Sequence, residues 1–264
     1  MRRGFLAALA FSAAAVVSPL VAADLQELQT RGTLRALAVF PEDETYFVSQ
    51  KSGAPPGFDV EVLEGFARLH KLRVELVPVS GWDALIPSLL KGKGDVIAGG
   101  FTATEGRSKQ IAFTIEVFPT RTVVITRKPR APVTNLDELK GEKVGTIKGT
   151  FMVEELAAAG VTSIDDSIAT GRIPEALAAG RIAAGADGLE AALTAKARDP
   201  DLQLGVFLGK PSSLAYGMRK EDMALLHALD AYIGNLRKTP TWSRLVVKYF
   251  GEAAPEILRK ARAQ

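Results

Sequence analysis

Short apolar runs and amphipathic stretches alternate along this chain, and this alternation limits the folds open to it. The first series has strands at 34–40, 73–79 and 95–99 and helices at 58–70 and 83–90. Ser80 and Asp83 have the spacing of a capping box for the second helix. Strand–helix–strand order of this kind predicts a mostly parallel sheet with helices on its faces.

A second α/β series begins at residue 122. Its predicted strands are 122–126, 143–147, 181–186 and 202–207, and its predicted helices are 150–159, 170–179, 189–198, 221–237 and 241–249, with a short helix capped by Asn135 and a peripheral helix at 256–262. Extended segments near 118–122 and 211–216 join the two series.

These segments predict an α/β fold of two Rossmann-like lobes joined by a two-strand hinge. Residues 24–119 and 214–264 would form a discontinuous lobe 1, and residues 120–213 an inserted lobe 2. Open α/β sheets bind ligands at the carboxyl ends of their strands, so the predicted site is a cleft between the lobes.

The N-terminus has the pattern of a cleavable signal peptide at residues 1–23. Arg2 and Arg3 precede an apolar stretch, and Val21-Ala-Ala23 is a small-residue cleavage site. The alternative, a membrane anchor, would need a longer unbroken apolar run. Because the chain also lacks cysteine and hence a lipid-modified N-terminal cysteine, we expect a soluble protein of the periplasm.

Charge and composition exclude several function classes. The 33 basic and 30 acidic residues leave a net charge of only +3, of which Arg2 and Arg3 account for two, so no nucleic-acid partner is expected. The two histidines, His70 and His227, are far apart in sequence, and no metal-ligand spacing or Ser/His/Asp arrangement is recognisable. We therefore expect no cofactor, no metal and no catalytic residue.

The stretch from Asp95 to Arg107 is the first candidate site. A buried strand ends at Gly99-Gly100, where the bare backbone can approach a ligand. Thr102 supplies a hydroxyl, and Thr104 is a candidate N-cap for a short helix that carries Arg107. The guanidinium is suited to a small carboxylate, because it can donate two parallel hydrogen bonds. The alternative is a surface arginine near a helix start.

The turn at Gly149 and Thr150, between a strand and a helix, is the second candidate site. Free N–H groups at such a turn attract an anion, although an ordinary capped turn is equally compatible. Trp82 follows a strand and would form a flat wall for the ligand, unless it is a core aromatic. Tyr46 follows an acidic loop at 42–44 that could meet a cationic group or be merely solvated.

The ordered motifs resemble the extracellular solute-binding proteins of family 3, the periplasmic amino-acid-binding components of ABC importers. The resemblance covers residues 32–251 and depends on these motifs: Gly32-Thr-Leu-Arg35, Gly57-Phe-Asp-Val60, 82–89, 102–107, 137–141, 144–150, 175–181 and Tyr249-Phe-Gly251. It implies the type II periplasmic binding protein fold, a monomer, and an inner-membrane ABC transporter permease as partner.

By the same resemblance, Arg107 grips the ligand's α-carboxylate, Thr102 and the Gly100 backbone contact the amino-acid head, and Thr150 completes the carboxylate site from lobe 2. Trp82 falls where the family places an aromatic that stacks on the ligand's side chain. Each of these roles is an expectation from the family pattern.

The sequence departs from the family pattern in three places. Phe151 replaces a second hydroxyl residue after the Gly-Thr turn, and the loop after the first strand is acidic. The family's aspartate for the ligand's ammonium would fall on Gly188, whereas the acid here is Asp187. A one-residue slip in a strand reverses the side chain. Either Asp187 still serves, or the ligand lacks an α-amine, or Glu190 or the acidic loop replaces the aspartate.

The function favoured by these observations is capture of an amino acid or related small carboxylate by hinge closure, for delivery to an ABC transporter. The alternative is a periplasmic cyclohexadienyl or prephenate-type dehydratase on the same scaffold, which would need a general acid in the cleft, with Glu190 as a distant candidate. A sensing module that presents bound ligand to a receptor would share the site.

Overall fold

The computed structural model describes residues 25–40 and 46–262 and shows a mixed α/β protein with two five-stranded sheets. The predicted signal peptide and the acidic loop at 42–44 lie outside the described residues. Within these residues no helix has the length and apolar character needed to span a bilayer.

The first sheet has the strand order β2-β1-β3-β12-β4. Its strands are β1 (Thr33–Ala38), β2 (Arg73–Pro78), β3 (Val96–Ile97), β4 (Ala112–Phe113) and β12 (Gly217–Met218). Strands β1, β2 and β3 are parallel, whereas β12 runs antiparallel to β3 and β4. We call this sheet and its helices lobe 1.

The second sheet has the order β10-β6-β9-β7-β8. Its strands are β6 (Thr122–Arg127), β7 (Lys143–Ile147), β8 (Ser163–Ile168), β9 (Ala184–Gly188) and β10 (Leu202–Phe207). Strand β7 pairs in parallel with β8 and β9, while β6 is antiparallel to β9 and β10. We call this sheet and its helices lobe 2.

Two short strands connect the lobes. Strands β5 (Phe118–Thr120) and β11 (Ser212–Leu214) form an antiparallel pair in which Ser212 is opposite Thr120. The chain therefore crosses between the lobes along two paired strands, which is the arrangement of a hinge.

Helices cover the sheets and supply most of the apolar core. The helices are α1 (Leu25–Arg31), α2 (Phe58–Leu69), α3 (Leu85–Leu90), α4 (Glu105–Ser108), α5 (Met152–Ala158), α6 (Ile173–Ala178), α7 (Leu189–Arg198), α8 (Met223–Leu236), α9 (Pro240–Phe250) and α10 (Ala254–Lys260), with 3₁₀ turns at Trp82–Ala84, Leu136–Leu139 and Gly251–Ala253. In lobe 1 an aromatic cluster of Phe47, Phe58, Phe118 and Phe250 lies beneath the cleft and fixes α2 and α9 against the hinge.

Several predicted elements are confirmed, and others are wrong in informative ways. The Asn135 capping box is present, and α7 has the predicted bounds. Strand β8 (Ser163–Ile168) is not predicted by the sequence pattern, because its residues are mostly polar and it lies at a sheet edge. The capping box at Ser80 is wrong, since Gly81 is the N-cap and no side chain caps the turn.

The charged tail predicts a peripheral helix, but α10 is part of the core. Ala254, Ile257 and Ala261 are buried, and the helix packs against α7, α9 and β5. The high charge of the tail concealed three small or apolar residues on one helical face. The C-terminal helix therefore packs beside the hinge and contacts helices of both lobes.

Candidate functional site

A cleft between the two lobes, with an empty volume of about 700 Å³ including its mouth, brings most of the predicted site residues together. The predicted residues that line it are Tyr46, Trp82, Gly100, Thr102, Arg107, Thr150 and Asp187. Gly149 instead lines an adjoining recess on the side of Asp83. A volume of this order is typical of small-molecule sites.

The floor of the cleft on the lobe 1 side is the turn after β3. Gly99 and Gly100 have φ of +88° and +78°, a region that residues with a Cβ rarely adopt. A Cβ on Gly100 would lie 2.7 Å from the ring of Phe47. Only glycine therefore fits this turn, which lines the cleft.

Arg107 reaches the cleft from α4, as the sequence predicts. The Thr104 hydroxyl caps this helix by accepting a hydrogen bond from the Arg107 amide. The guanidinium donates to the Thr102 carbonyl at 2.8 Å and lies 4.0 Å above the Phe101 ring. The ring of Phe151, from lobe 2, is 5.6 Å away on the route across the cleft. These contacts hold the guanidinium in one place and shield it from water.

The charge of Arg107 is suited to binding an anion. Burial lowers the pKa of Arg107 to about 10, and the negative charge of Glu154 partly opposes this shift. The side chain therefore remains protonated at neutral pH. Among the described residues, no carboxylate oxygen lies within 4.0 Å of the guanidinium. A half-buried cation without a carboxylate partner is stabilised by a bound anion.

Thr150 is present at the cleft but does not begin a helix. Helix α5 begins at Met152 with Phe151 as its N-cap, two residues later than predicted. The Thr150 hydroxyl donates to the Ile147 carbonyl at 2.8 Å, which closes the turn after β7. The neighbouring Gly149 approaches Asp83 of lobe 1 closely, so this turn lies at the boundary between the lobes.

Trp82 makes a contact that the sequence did not predict. Its indole N–H donates to the Thr170 hydroxyl of lobe 2 at 2.9 Å, so this side chain bridges the lobes. The residue is half-buried and lines the cleft at the same time. Trp82 is therefore both a wall of the cleft and a contact that exists only when the lobes are close together.

Two carboxylates lie in the cleft on the lobe 2 side. Asp187 and Glu190 are each only 6% exposed, and both line the cleft. Asp187 is the penultimate residue of β9, and its side chain accepts a hydrogen bond from the Gly188 amide at 2.7 Å. Glu190 lies in the first turn of α7, where the helix dipole favours an anion, and accepts a hydrogen bond from the Thr120 hydroxyl at 2.6 Å.

The geometry around Gly188 explains how this site differs from the family pattern. A Cβ placed on Gly188 would overlap the Glu190 Oε1 atom. The carboxylate of Glu190 thus occupies the space that a side chain at position 188 would need. The sequence signal was the glycine followed two residues later by an acid, but only the fold shows that the two positions compete for the same volume.

Tyr46 lies at the inner end of the cleft and is anchored in lobe 1. Its ring is 5.0 Å from Phe47 and 5.8 Å from Phe250, and its carbonyl accepts a hydrogen bond from the Phe58 amide.

Sequence reasoning did not identify Phe151, Thr120 or Thr170 as part of the cleft. Within residues 25–40 and 46–262, no group of three or more His, Asp or Glu side chains is placed to hold a metal.

A two-lobed α/β fold with a paired-strand hinge and a charged, aromatic-lined cleft defines a type II periplasmic binding protein. The profile of the bacterial extracellular solute-binding proteins, family 3, matches residues 25–252. The chain belongs to this family.

Relatives with known ligands support this assignment. The histidine-binding periplasmic protein of Escherichia coli K12 is 30% identical over 223 residues, which cover 79% of this chain and 85% of the relative. The lysine/arginine/ornithine-binding periplasmic protein of the same organism is 28% identical, covering 74% and 78%. A mutant of ArgBP from T. maritima superimposes with a TM-score of 0.78 at 28% identity, covering 86% and 99%. This chain is thus similar over most of its length to binding proteins that are named after amino acids.

Proposed function

We propose that this protein captures an amino acid or related small carboxylate in the periplasm, closes around it, and delivers it to an ABC transporter permease without chemical change. The observation that carries the proposal is Arg107: a half-buried, protonated guanidinium lines the cleft, and no carboxylate among the described residues forms an ion pair with it. Relatives that bind histidine or lysine, arginine and ornithine support this ligand class.

At one pole of the cleft, Arg107 would bind the ligand's α-carboxylate, helped by Thr102, the Gly100 backbone and Thr150. One charge-assisted pair supplies about 1.5–3 kcal/mol. A micromolar dissociation constant requires about 8 kcal/mol. The remaining free energy must come from the opposite pole, from aromatic walls such as Trp82, and from lobe closure.

At the other pole, Asp187 and Glu190 would bind the ligand's ammonium group. Their carboxylates are buried on lobe 2, across the cleft from the guanidinium. Two carboxylates with one guanidinium favour a ligand of net positive charge, such as the basic amino acids after which the relatives are named. We place Glu190 nearest the usual ammonium position, because its carboxylate fills the space above Gly188.

Closure would be selected by the ligand because the two poles lie on different lobes. An amino acid that contacts Arg107 alone stabilises both open and closed forms, whereas one that also contacts Glu190 stabilises only the closed form. The Trp82–Thr170 hydrogen bond adds to the closed form as well. We propose lobe boundaries at 24–119 with 214–264 and at 120–213, supported by the β5–β11 pairing. Export by a signal peptide cleaved near Ala23, and a monomeric state, belong to the same proposal.

A thermal-shift screen tests the ligand class. The purified protein is unfolded to remove carried-over ligand, refolded, and heated with each of the twenty amino acids and with simple carboxylates. We expect one or a few amino acids to raise the melting temperature, with basic amino acids giving the largest shifts, and Arg107→Ala to abolish the shift. Turnover of prephenate or arogenate would show an enzyme, and a shift unaffected by Arg107→Ala would contradict the assigned site.

A further inference from the structure

A buried carboxyl group lies directly beneath the floor of the cleft. Asp59 is 3% exposed, and its Oδ2 atom accepts hydrogen bonds from the amides of Gly99 at 2.8 Å and Gly100 at 2.9 Å. Its Oδ1 atom accepts a hydrogen bond from the Tyr216 hydroxyl at 3.2 Å. One side chain thus holds two successive peptide groups of the glycine turn that lines the cleft.

The partners of Asp59 are all neutral donors. No lysine or arginine among the described residues lies within ion-pair distance of it. The titratable and charged side chains of the surrounding elements are Arg35 on β1, Glu61, Glu64 and Arg68 on α2, Asp95 before β3, Tyr46, Tyr216, His227, Asp230 and Tyr232 on α8, and Arg244, Lys248 and Tyr249 on α9. Glu61 is paired with Lys248, and Asp95 is paired with Arg31 and Arg35. None of these pairs compensates the charge of Asp59.

Burial therefore acts on this carboxyl group without an opposing cation. Burial raises the pKa of Asp59 to about 6, although hydrogen bonds from Gly100, Gly99 and Tyr216 lower it. The ionised form holds the turn by charge-assisted hydrogen bonds, which are roughly twice as strong as bonds to a neutral acceptor. The neutral form accepts more weakly and carries a proton that must be directed away from the two amides.

We propose that Asp59 is a positioning residue for the ligand: its ionised carboxylate fixes the Gly99–Gly100 backbone in the conformation that binds the amino-acid head, so that binding weakens when Asp59 is protonated. This inference depends on the proposed function of the cleft. By linkage, a ligand that prefers the ionised form must release a proton when it binds in the range where Asp59 is partly protonated.

The arrangement lies within lobe 1, which makes it testable without ligand. Asp59 is on α2, the two glycines follow β3 and Tyr216 directly precedes β12. All four residues belong to lobe 1, so their hydrogen bonds do not require the closed form. Asp59→Asn is the matched variant, because the amide oxygen can still accept from both glycine amides but cannot titrate. Tyr216→Phe is the second variant, because it removes one donor that stabilises the carboxylate.

The first experiment follows the Gly99 and Gly100 amide resonances of the ligand-free protein by NMR as the pH is lowered. We expect both resonances to titrate with a midpoint near pH 6. We expect no such titration in Asp59→Asn and a higher midpoint in Tyr216→Phe. Amides that do not titrate in the wild type, or that titrate equally in Asp59→Asn, would overturn the inference whatever the ligand proves to be.

The second experiment measures affinity by calorimetry from about pH 5 to pH 8, using the amino acid that gives the largest shift in the thermal screen. We expect the affinity of the wild type to fall about five- to tenfold as the pH is lowered through the midpoint of the Asp59 titration. The proton released on binding is detected by comparing buffers of different ionisation enthalpy. Asp59→Asn should bind with the weaker affinity at every pH. Titration of the ligand, of Asp187 or of Glu190 is common to both proteins and cancels in the comparison.

The outcomes separate the two proposals. If no amino acid shifts the melting temperature, the proposed function is wrong, and the link from Asp59 to ligand binding is wrong with it, although the NMR result still reports on the turn. If an amino acid binds but Asp59→Asn has the wild-type affinity and pH profile, only the inference about Asp59 is wrong.

Discussion

The hydrogen bond between Trp82 and Thr170 allows a quantitative test of closure. It joins the first turn after β2 in lobe 1 to the loop after β8 in lobe 2, at 2.9 Å. Because the two residues are on different lobes, opening the cleft must break this bond. The free energy of this hydrogen bond therefore favours the closed form directly. Because the ligand binds the closed form, the same free energy also changes the apparent affinity for the ligand.

A double-mutant cycle with Trp82→Phe and Thr170→Val isolates this contribution. Thr170→Val removes the acceptor at nearly constant volume, and Trp82→Phe removes the donor but keeps an aromatic ring in the cleft. A hydrogen bond between neutral groups contributes about 0.5–1.5 kcal/mol, which corresponds to about a two- to tenfold weaker dissociation constant for Thr170→Val. The double variant should be little worse than Trp82→Phe alone, because the bond can be lost only once.

The assay is calorimetry on refolded, ligand-free protein, with small-angle scattering to follow the closed fraction. Thr134→Val is the matched control, since its hydroxyl donates to Glu138 within lobe 2 at 2.8 Å and should not affect closure. Additive effects of the two cleft substitutions, or an unchanged affinity in Thr170→Val, would refute the reasoning and would leave Trp82 as a wall of the cleft only.

Three further predictions concern charged groups. Arg107→Ala should abolish detectable binding in calorimetry while the circular dichroism spectrum stays unchanged, and retained affinity would disprove the carboxylate pole. Glu190→Gln should weaken binding of an amino acid at least tenfold but leave binding of the corresponding des-amino carboxylate nearly unchanged; equal effects on both would remove Glu190 from the ammonium pole. The raised pKa of Asp59 means that the folded state takes up its proton more readily than the unfolded state does, so its contribution to stability is complete at low pH and is lost as the pH rises through about 6. In urea denaturation, the free energy of unfolding of Asp59→Asn relative to that of the wild type should therefore rise by about 2–3 kcal/mol from about pH 4 to pH 7. A difference that does not change with pH would contradict the raised pKa.

The fold and one half of the site could be predicted from local sequence patterns. The alternation of strands and helices gives the lobes, and the glycine turn with its capped helix places Arg107, because each depends on neighbours in the chain. The parts that could not be predicted depend on contacts across the fold. The hydrogen bond from Trp82 to Thr170 joins two lobes, and their distance depends on how the lobes pack. The Glu190 carboxylate likewise occupies the space beside Gly188 only because of how α7 packs after β9.

Polar edge elements were the other failure of local patterns. Strand β8 has the sequence Ser-Ile-Asp-Asp-Ser-Ile, which lacks the apolar signal of a buried strand, yet it pairs with β7 over most of its length. An edge strand needs only one hydrogen-bonded neighbour and exposes much of its surface, so polar residues are suited to it.

The pairing of Ser212 with Thr120 has a consequence for how this molecule can be divided. The points where the chain enters and leaves lobe 2 are neighbours in adjacent strands, about 5 Å apart. A segment with such closely spaced ends can be cut out at those points and replaced by the equivalent segment of a relative without stretching the remainder. Chimaeras built this way would exchange the acidic pole while keeping the arginine pole, and so would transfer ligand preference between members of the family as a single unit.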